Sequence, residues 1–286
     1  MIHSVPPQNS SHTFDDQFDL RSRHSDFQQY FDRNDSLSAE AVDALPCQLD
    51  IPYGNHPLQT VDYFPAKRGN APIVIFIHGG YWRALDKRNY RFIALPFIDE
   101  NCAVCSINYR LAPEIGLETI VDDVIKALHS IRKHATAING NPNNLFVTGH
   151  SAGGHLALMS AMLLQRDNNP LLPSIRGILS LSGLFDLNPI RKSFLNETLN
   201  LDEPTATRFS PILNETFSID IPLRFAVGGG ETDEFIRQSK AIDVRMTANG
   251  NNSQFEILPD LNHFDIVYEF GKLDGVLTKQ LLEIIR

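Results

Sequence analysis

Of 286 residues, three are cysteine and one is tryptophan, and no stretch approaches the uninterrupted apolar length of a membrane span. Met1 to Ser11 is polar and lacks the apolar core of a signal peptide, so the expected location is the cytoplasm. An odd, small number of cysteines excludes a disulfide framework and suits a reducing compartment. Cys102 and Cys105 have C-x-x-C spacing but lie in an apolar run that reads as a strand. Positions three apart on a strand face opposite sides, which suits neither a redox pair nor one metal site. No ligand spacing such as H-E-x-x-H occurs, so no metal and no other cofactor is expected. Basic runs are absent as well. A net charge of −9 argues against nucleic acid or an anionic membrane as the main partner.

What is present is an ordinary globular composition, 42% apolar and 21% charged, in a chain long enough for a substantial core. Met1 to about Gln17 is rich in Ser, Pro, Gln and Asn and is expected to fray. Asp26 to Leu45 reads as one or two amphipathic helices, broken around Asp32–Ser36, packing on the edge of the main body. Leu49–Tyr53 and Thr60–Phe64 alternate around a Gly-Asn-His-Pro turn and predict an antiparallel hairpin. Pro72–Ile77 is continuously apolar, the pattern of a strand covered on both faces.

From there strand and helix alternate. A helix is expected over Lys87–Asp99, interrupted by Pro96, followed by a strand over Ala103–Asn108. Apolar residues from Ile120 to Ile131 recur at helical spacing and predict a helix from Leu117 to Lys133. Further strands are expected at Asn144–Val147, Gly177–Ser182, Leu223–Val227 and Gln254–Leu258. Helices are expected at Thr232–Ala248 and Leu273–Ile285. Residues 183–213 read as a short, irregular cap. The pattern is one α/β domain over 46–286, a mostly parallel sheet with helices on both faces, preceded by the N-terminal residues 1–45.

The most informative stretch is Gly149-His150-Ser151-Ala152-Gly153, between an apolar run and a run of helix formers. It fits the G-x-S-x-G nucleophile elbow, which needs a strand before and a helix after. A serine on such a turn projects its hydroxyl above the sheet, and the glycines leave room for the bent backbone. The N–H of Ala152 then faces the place where an oxyanion would form.

Serine is a poor nucleophile unless a base takes its proton and a carboxylate supports that base. In this architecture the partners follow in the order serine, acid, histidine, on loops at the carboxyl ends of strands. The acid lies within Gly228–Phe235, where Glu231, Asp233 and Glu234 compete. Glu231 comes first after the glycines, with Asp233 second in line, because acids in a first helical turn commonly serve only the dipole. The base is His263, the histidine of the loop after the last strand. His78-Gly79-Gly80-Tyr81-Trp82 supplies the remaining part of an oxyanion hole. Gly80, Tyr81 and Ala152 are the expected donors, Gly79 permits the turn and His78 ties the loop down. Tyr81, Trp82 and Phe185 are expected to line an acyl or aryl pocket.

Through His78-Gly79-Gly80, Tyr109-Arg110-Leu111-Ala112-Pro113-Glu114 and Gly149–Gly154, the chain resembles α/β-hydrolase-fold serine esterases of the hormone-sensitive-lipase type. Tyr81-Trp82, Glu234-Phe235 with Arg237-Gln238-Ser239, and His263-Phe264-Asp265 are similar to the kynurenine formamidase (arylformamidase) branch. The resemblance implies a hydrolase of small carboxylic esters or aryl formamides, with Ser151 as nucleophile, Glu231 as acid and His263 as base. The formamidase pattern carries aspartate at the acid position, so Glu231 is a departure that many esterases share. The implied partner is a small-molecule ester or amide, and a homodimer is among the assemblies such enzymes form. The alternatives are a non-catalytic ligand-binding protein on this fold and a thioesterase.

Overall fold

A computed structural model describes residues 14–286. The fraying expected for the N-terminus falls mainly on residues 1–13, outside the described residues. From Phe14 the chain is helical rather than frayed: α1 is Phe14–Phe18, α2 Leu20–Arg23 and α3 Phe27–Ala44. Phe18 and Gln17 are buried, which explains why so polar a segment holds its place.

The break expected at Asp32–Ser36 does not occur. That stretch contains neither Gly nor Pro, and Asn34 and Ser38 continue the buried stripe that ends at Ala41. Tertiary bonds complete it: Asn89 Nδ2 donates to Asp35 Oδ1 (2.6 Å), and the Phe92 N–H donates to Ser38 Oγ (3.4 Å).

The strands among the described residues are β1 (Gln48–Pro52), β2 (Thr60–Phe64), β3 (Ala71–Ile77), β4 (Ala103–Ile107), β5 (Gly140–His150), β6 (Ile175–Leu181), β7 (Leu223–Gly228) and β8 (Ser253–Leu258). They form one sheet in the order β1-β2-β4-β3-β5-β6-β7-β8. The hairpin β1–β2 is antiparallel, and β2 joins β4 antiparallel, while every pairing from β4 through β3 to β8 is parallel.

The continuous apolar runs have their expected cause. Along β3, Ile73, Ile75 and Ile77 enter one core while Val74 and Phe76 enter the other. In β5, Leu145 and Val147 go one way and Phe146 the other. Each fully buried side chain of this size contributes about 1.5–3 kcal/mol.

The helices that cover these faces are α4 (Ala94–Asp99), α5 (Leu117–His134), α6 (Ala152–Arg166), α7 (Leu187–Arg191), α8 (Asn196–Leu199), α9 (Glu203–Arg208), α10 (Asp233–Ala248) and α11 (Val276–Ile285). Residues of α5, α6 and α10 fill the first core, and those of α4 and α11 the second. The segment expected as one helix over Lys87–Asp99 is a 3-10 helix, Lys87–Ile93, followed by α4. Its break falls ahead of Pro96, which sits in the first turn of α4, where a missing N–H costs little. The cap region consists of α7, α8, α9 and a 3-10 turn at Pro211–Leu213.

Chain order reverses at β3, with β4 on one side and β5 on the other. In open α/β sheets the crevice beyond the carboxyl ends at such a point is where ligands bind.

Candidate active site

At the end of β5 the chain turns sharply into α6. Ser151 sits on that turn with φ 55° and ψ −121°, a conformation non-glycine residues rarely adopt. Its N–H donates to the Leu181 carbonyl (2.8 Å), locking the turn onto β6. The flanking glycines are required by contact: a Cβ on Gly153 would lie 1.9 Å from the Ile77 carbonyl oxygen, and one on Gly149 2.3 Å from Gly153. Ala152 is the first residue of α6, so its N–H has no intrahelical acceptor.

Beyond β7, Gly228–Gly230 lead to Glu231, whose carboxylate is buried and bonded at both oxygens. Oε1 accepts from Ser182 Oγ (2.5 Å) and from the Gly228 N–H (2.8 Å). Oε2 accepts from His263 Nδ1 at 2.6 Å. A proton on Nδ1 leaves Nε2 as the acceptor nitrogen of the ring. The other two acids do not reach the histidine: Asp233 is exposed in the first turn of α10, and Glu234 pairs with Arg237 (2.7 Å). Both follow the dipole-complementing pattern of helix starts.

Ser182 escaped the sequence reading. The signal available was its place directly after the apolar run of β6, between the Ser151 and Glu231 loops. His150 packs its ring 4.5 Å from that of His263, and its Nε2–H donates to the His263 carbonyl (2.9 Å). Burial, with the His263 ring beside it, holds the His150 imidazole well below the usual histidine range, so this ring stays neutral.

The loop after β3 approaches the elbow closely. A Cβ on Gly79 would meet the His150 carbonyl oxygen and Ser151 Cβ, both at 3.0 Å. Gly80 has φ 101°, and Tyr81 and Trp82 follow at 50° and 57°. This left-handed run curls the backbone so that the Gly80 carbonyl accepts from the N–H groups of Arg83 and Ala84 (3.0 and 3.1 Å). His78 stacks on Tyr109 (4.4 Å between centroids), and the Tyr109 hydroxyl donates to the His78 carbonyl (2.9 Å). Burial lowers the His78 imidazole to about 4, so it too is neutral.

Ser151 and His263 line one cavity of about 410 Å³ together with Tyr81, Phe18, Tyr30, Phe31 and Phe264. A group placed there lies beside a hydroxyl and an imidazole, two of the groups that acyl transfer uses.

Two expected pocket residues lie elsewhere. Trp82 is fully buried among Ala112, Leu117, Ile120, Leu199 and Leu201, edge-on to His155 (5.1 Å). Phe185 is fully buried against Phe225 (5.4 Å), with its N–H bonded to Gln238 Oε1 (2.7 Å). Both pack beneath the cap.

Their place is taken by the N-terminal helices, of which the sequence pattern predicts only Asp26–Leu45 as helical, and then as edge packing. The Tyr81 hydroxyl donates to the Phe18 carbonyl (2.9 Å), Thr232 Oγ1 to the Gln17 carbonyl (2.9 Å), and Asn262 Nδ2 to the Tyr30 hydroxyl (3.0 Å). The segment therefore touches the loops after β3, β7 and β8. Among the described residues no helix is long and apolar enough to cross a membrane, and no histidine, cysteine and acid cluster could hold a metal ion.

Comparison with known proteins agrees with this fold. The BD-FAE family model matches residues 62–210. A thioesterase, so assigned provisionally, from Silicibacter sp. TM1040 superposes with a TM-score of 0.83 at 24% identity, covering 93% of this chain and 97% of that one. The carboxylesterase EstE1, cloned from a metagenomic library, superposes at 0.73 with 18% identity, covering 90% and 95%. At these identities they speak for the fold. Kynurenine formamidase of Danio rerio is 32% identical over 245 residues, 83% of this chain and 81% of its own. The chain belongs to the kynurenine formamidase family of α/β-hydrolases.

Proposed function

We propose that the protein hydrolyses small aryl formamides and short acyl esters through an acyl-Ser151 intermediate. What carries the reading is the 2.6 Å bond between His263 Nδ1 and the buried carboxylate of Glu231, with Ser151 in the same cavity.

In this mechanism His263 Nε2 takes the Ser151 proton as Oγ attacks the carbonyl carbon. Glu231 holds the ring in the correct tautomer and stabilises the imidazolium that forms. The Ser182 and Gly228 bonds to its other oxygen fix the carboxylate while it does so. The tetrahedral oxyanion accepts hydrogen bonds from the Ala152 N–H and from the N–H groups of Gly80 and Tyr81. Each such donor is worth about 3 kcal/mol. His263 then protonates the leaving amine or alcohol, and water releases the acyl group by the same steps in reverse.

The cavity volume and its rings, Tyr30, Phe31 and Phe264, suit an aryl leaving group with a small acyl group. They do not suit a long acyl chain. The relatives named kynurenine formamidase favour a formamide. Buried free thiols at Cys102 and Cys105 suit a reducing compartment such as the cytoplasm.

The test is kcat/KM on N-formylkynurenine beside p-nitrophenyl acetate, butyrate and decanoate. Preference for the formamide, falling activity from acetate to decanoate and loss of all turnover in Ser151→Ala are expected. Comparable rates on acetate and decanoate would contradict the small-substrate reading.

A further inference from the structure

One cation in the cavity wall has no part in that mechanism. Arg83, on the loop after β3, lines the cavity that holds Ser151 and His263. Its N–H donates to the Gly80 carbonyl (3.0 Å), closing the tight turn that begins at that expected oxyanion donor. The side chain lies along the cap. Nη1 donates to Thr198 Oγ1 (3.0 Å), and the guanidinium carbon is 5.6 Å from the centre of the Phe194 ring. Thr198 and Phe194 line the same cavity, so the guanidinium is held at its wall.

The other edge of the fork is unbonded. Among the described residues Arg83 Nε and Nη2 have no hydrogen-bond partner and no carboxylate within ion-pair distance, and both keep accessible surface. Elsewhere in the molecule that edge grips a carboxylate. Nε and Nη2 of Arg110 hold Asp123 at 2.8 Å each. Those of Arg166 hold Asp167 at 2.7 and 3.0 Å, and those of Arg237 hold Glu234 at 2.7 and 2.9 Å. Two parallel N–H bonds to the two oxygens of a carboxylate are what this edge is shaped for.

The acids around Arg83 are engaged with other groups. Asp15 accepts from the Phe194 N–H (2.8 Å), and Asp19, in the cavity wall, from the Ser22 N–H (3.2 Å) and hydroxyl (2.5 Å). The wall's other arginine, Arg21, is exposed and lies over the Phe27 ring (5.2 Å). Arg83 is thus a half-buried cation without a counter-charge. Drawing it partly out of water costs free energy that an anionic ligand recovers.

We propose that Arg83 makes the cavity selective for substrates that carry a carboxylate. The Nε and Nη2 edge takes the two carboxylate oxygens, away from the bond being cleaved. This rests on the reading that Ser151 opens the acyl bond in the same cavity. The selected substrates are anionic aryl esters and formamides, over uncharged ones of the same shape.

The test compares meta- and para-acetoxybenzoate and meta- and para-acetoxyphenylacetate, each with its carboxamide, in wild type and Arg83→Gln. The carboxamide keeps the shape and removes the charge. The ratio of the two enzymes on each ester cancels intrinsic leaving-group reactivity. At least one carboxylate is expected to lose about 10- to 100-fold more kcat/KM than its carboxamide, the scale of a hydrogen bond to a charged group. Losses equal within every pair, or larger on the carboxamides, would overturn the proposal.

Binding of each hydroxyaryl acid against its amide, measured by calorimetry on Ser151→Ala and on Ser151→Ala with Arg83→Gln, reads the same contact without turnover. Tighter binding of an acid that vanishes in the double variant supports Arg83 even if the catalytic reading fails. Equal binding of every acid and its amide with Arg83 in place overturns it even if that reading holds. A preference that persists in the double variant belongs to another group and overturns it as well.

Discussion

Two walls of one cavity are built by different means. The wall formed by the loops after β3, β5 and β8, backed by the loop after β7, is fixed by backbone. It holds a strained serine, glycines whose neighbours leave no room for a Cβ, and a carboxylate bonded at both oxygens. The opposite wall, from α1 to α3, is held by side chains: a few hydrogen bonds and a stack of rings around Phe264. Chemistry needs fixed positions to within fractions of an ångström, and the parallel sheet provides them. Selectivity needs shape and one or two polar points, which a docked helix can supply and exchange without disturbing the reacting groups.

Substitutions in the two walls should therefore differ in size and kind. Ser151→Ala is expected to lower kcat by about 10⁶-fold, the scale for losing a nucleophile of this type. A loss similar to that of a cavity-wall variant would erase the distinction between the walls. Glu231→Gln keeps the shape but cannot support the imidazolium, and should cost about 10⁴-fold in kcat. Asp233→Asn, on an exposed acid beyond reach of His263, should change kcat by less than about 2-fold, within the range of surface substitutions. The pair of measurements separates the two candidate acids.

On the helical wall, Tyr30→Ala removes the stack on Phe264. It should lower kcat/KM for aryl substrates by roughly 3- to 10-fold, with folding retained by circular dichroism. A loss on the scale of Glu231→Gln would mean that this wall, too, holds the reacting groups in place.

The smallest effect at neutral pH appears on acidification. Burial pushes the His155 imidazole down to about 4, while its Nε2–H donates to the Phe209 carbonyl (2.8 Å). The unfolded chain binds that proton near the ordinary value of about 6.5, before the folded one does. Its contribution is complete above about 6.5 and is lost as pH falls toward 4. Denaturant midpoints measured from pH 8 to 4.5 should fall, and His155→Gln should flatten the slope.

The two walls also differ in how far they could be read in advance. Ser151, Glu231 and His263 stand on loops directly after apolar runs, and the loop after a buried strand has a fixed destination at one end of a parallel sheet. Local chemistry was enough to single them out as candidates, and the fold brings them together. Ser182 follows an apolar run too, but nothing local distinguishes it from other serines at strand ends. Side-chain direction was harder. Tyr81 and Trp82 are adjacent, yet successive left-handed residues send one ring to the cavity and the other under the cap. The role of α3 was the least legible. Its amphipathic stripe announces that it packs on something, but its partners are distant: Asn89 and Phe92 lie 54 residues from Asp35 and Ser38, and Asn262, Phe264 and Tyr268 more than 200 from Tyr30. The polar run Asp32–Ser36 looks like a break until those contacts are known.

The most direct measurement is covalent trapping. Purified protein would be treated with an aryl phosphonate, digested and mapped by mass spectrometry, in wild type, Ser151→Ala and Glu231→Gln. One adduct on the peptide carrying Ser151, absent in Ser151→Ala and formed far more slowly in Glu231→Gln, is expected. An adduct on another residue, or labelling of Ser151 at the wild-type rate without the Glu231 carboxylate, would contradict the proposed triad.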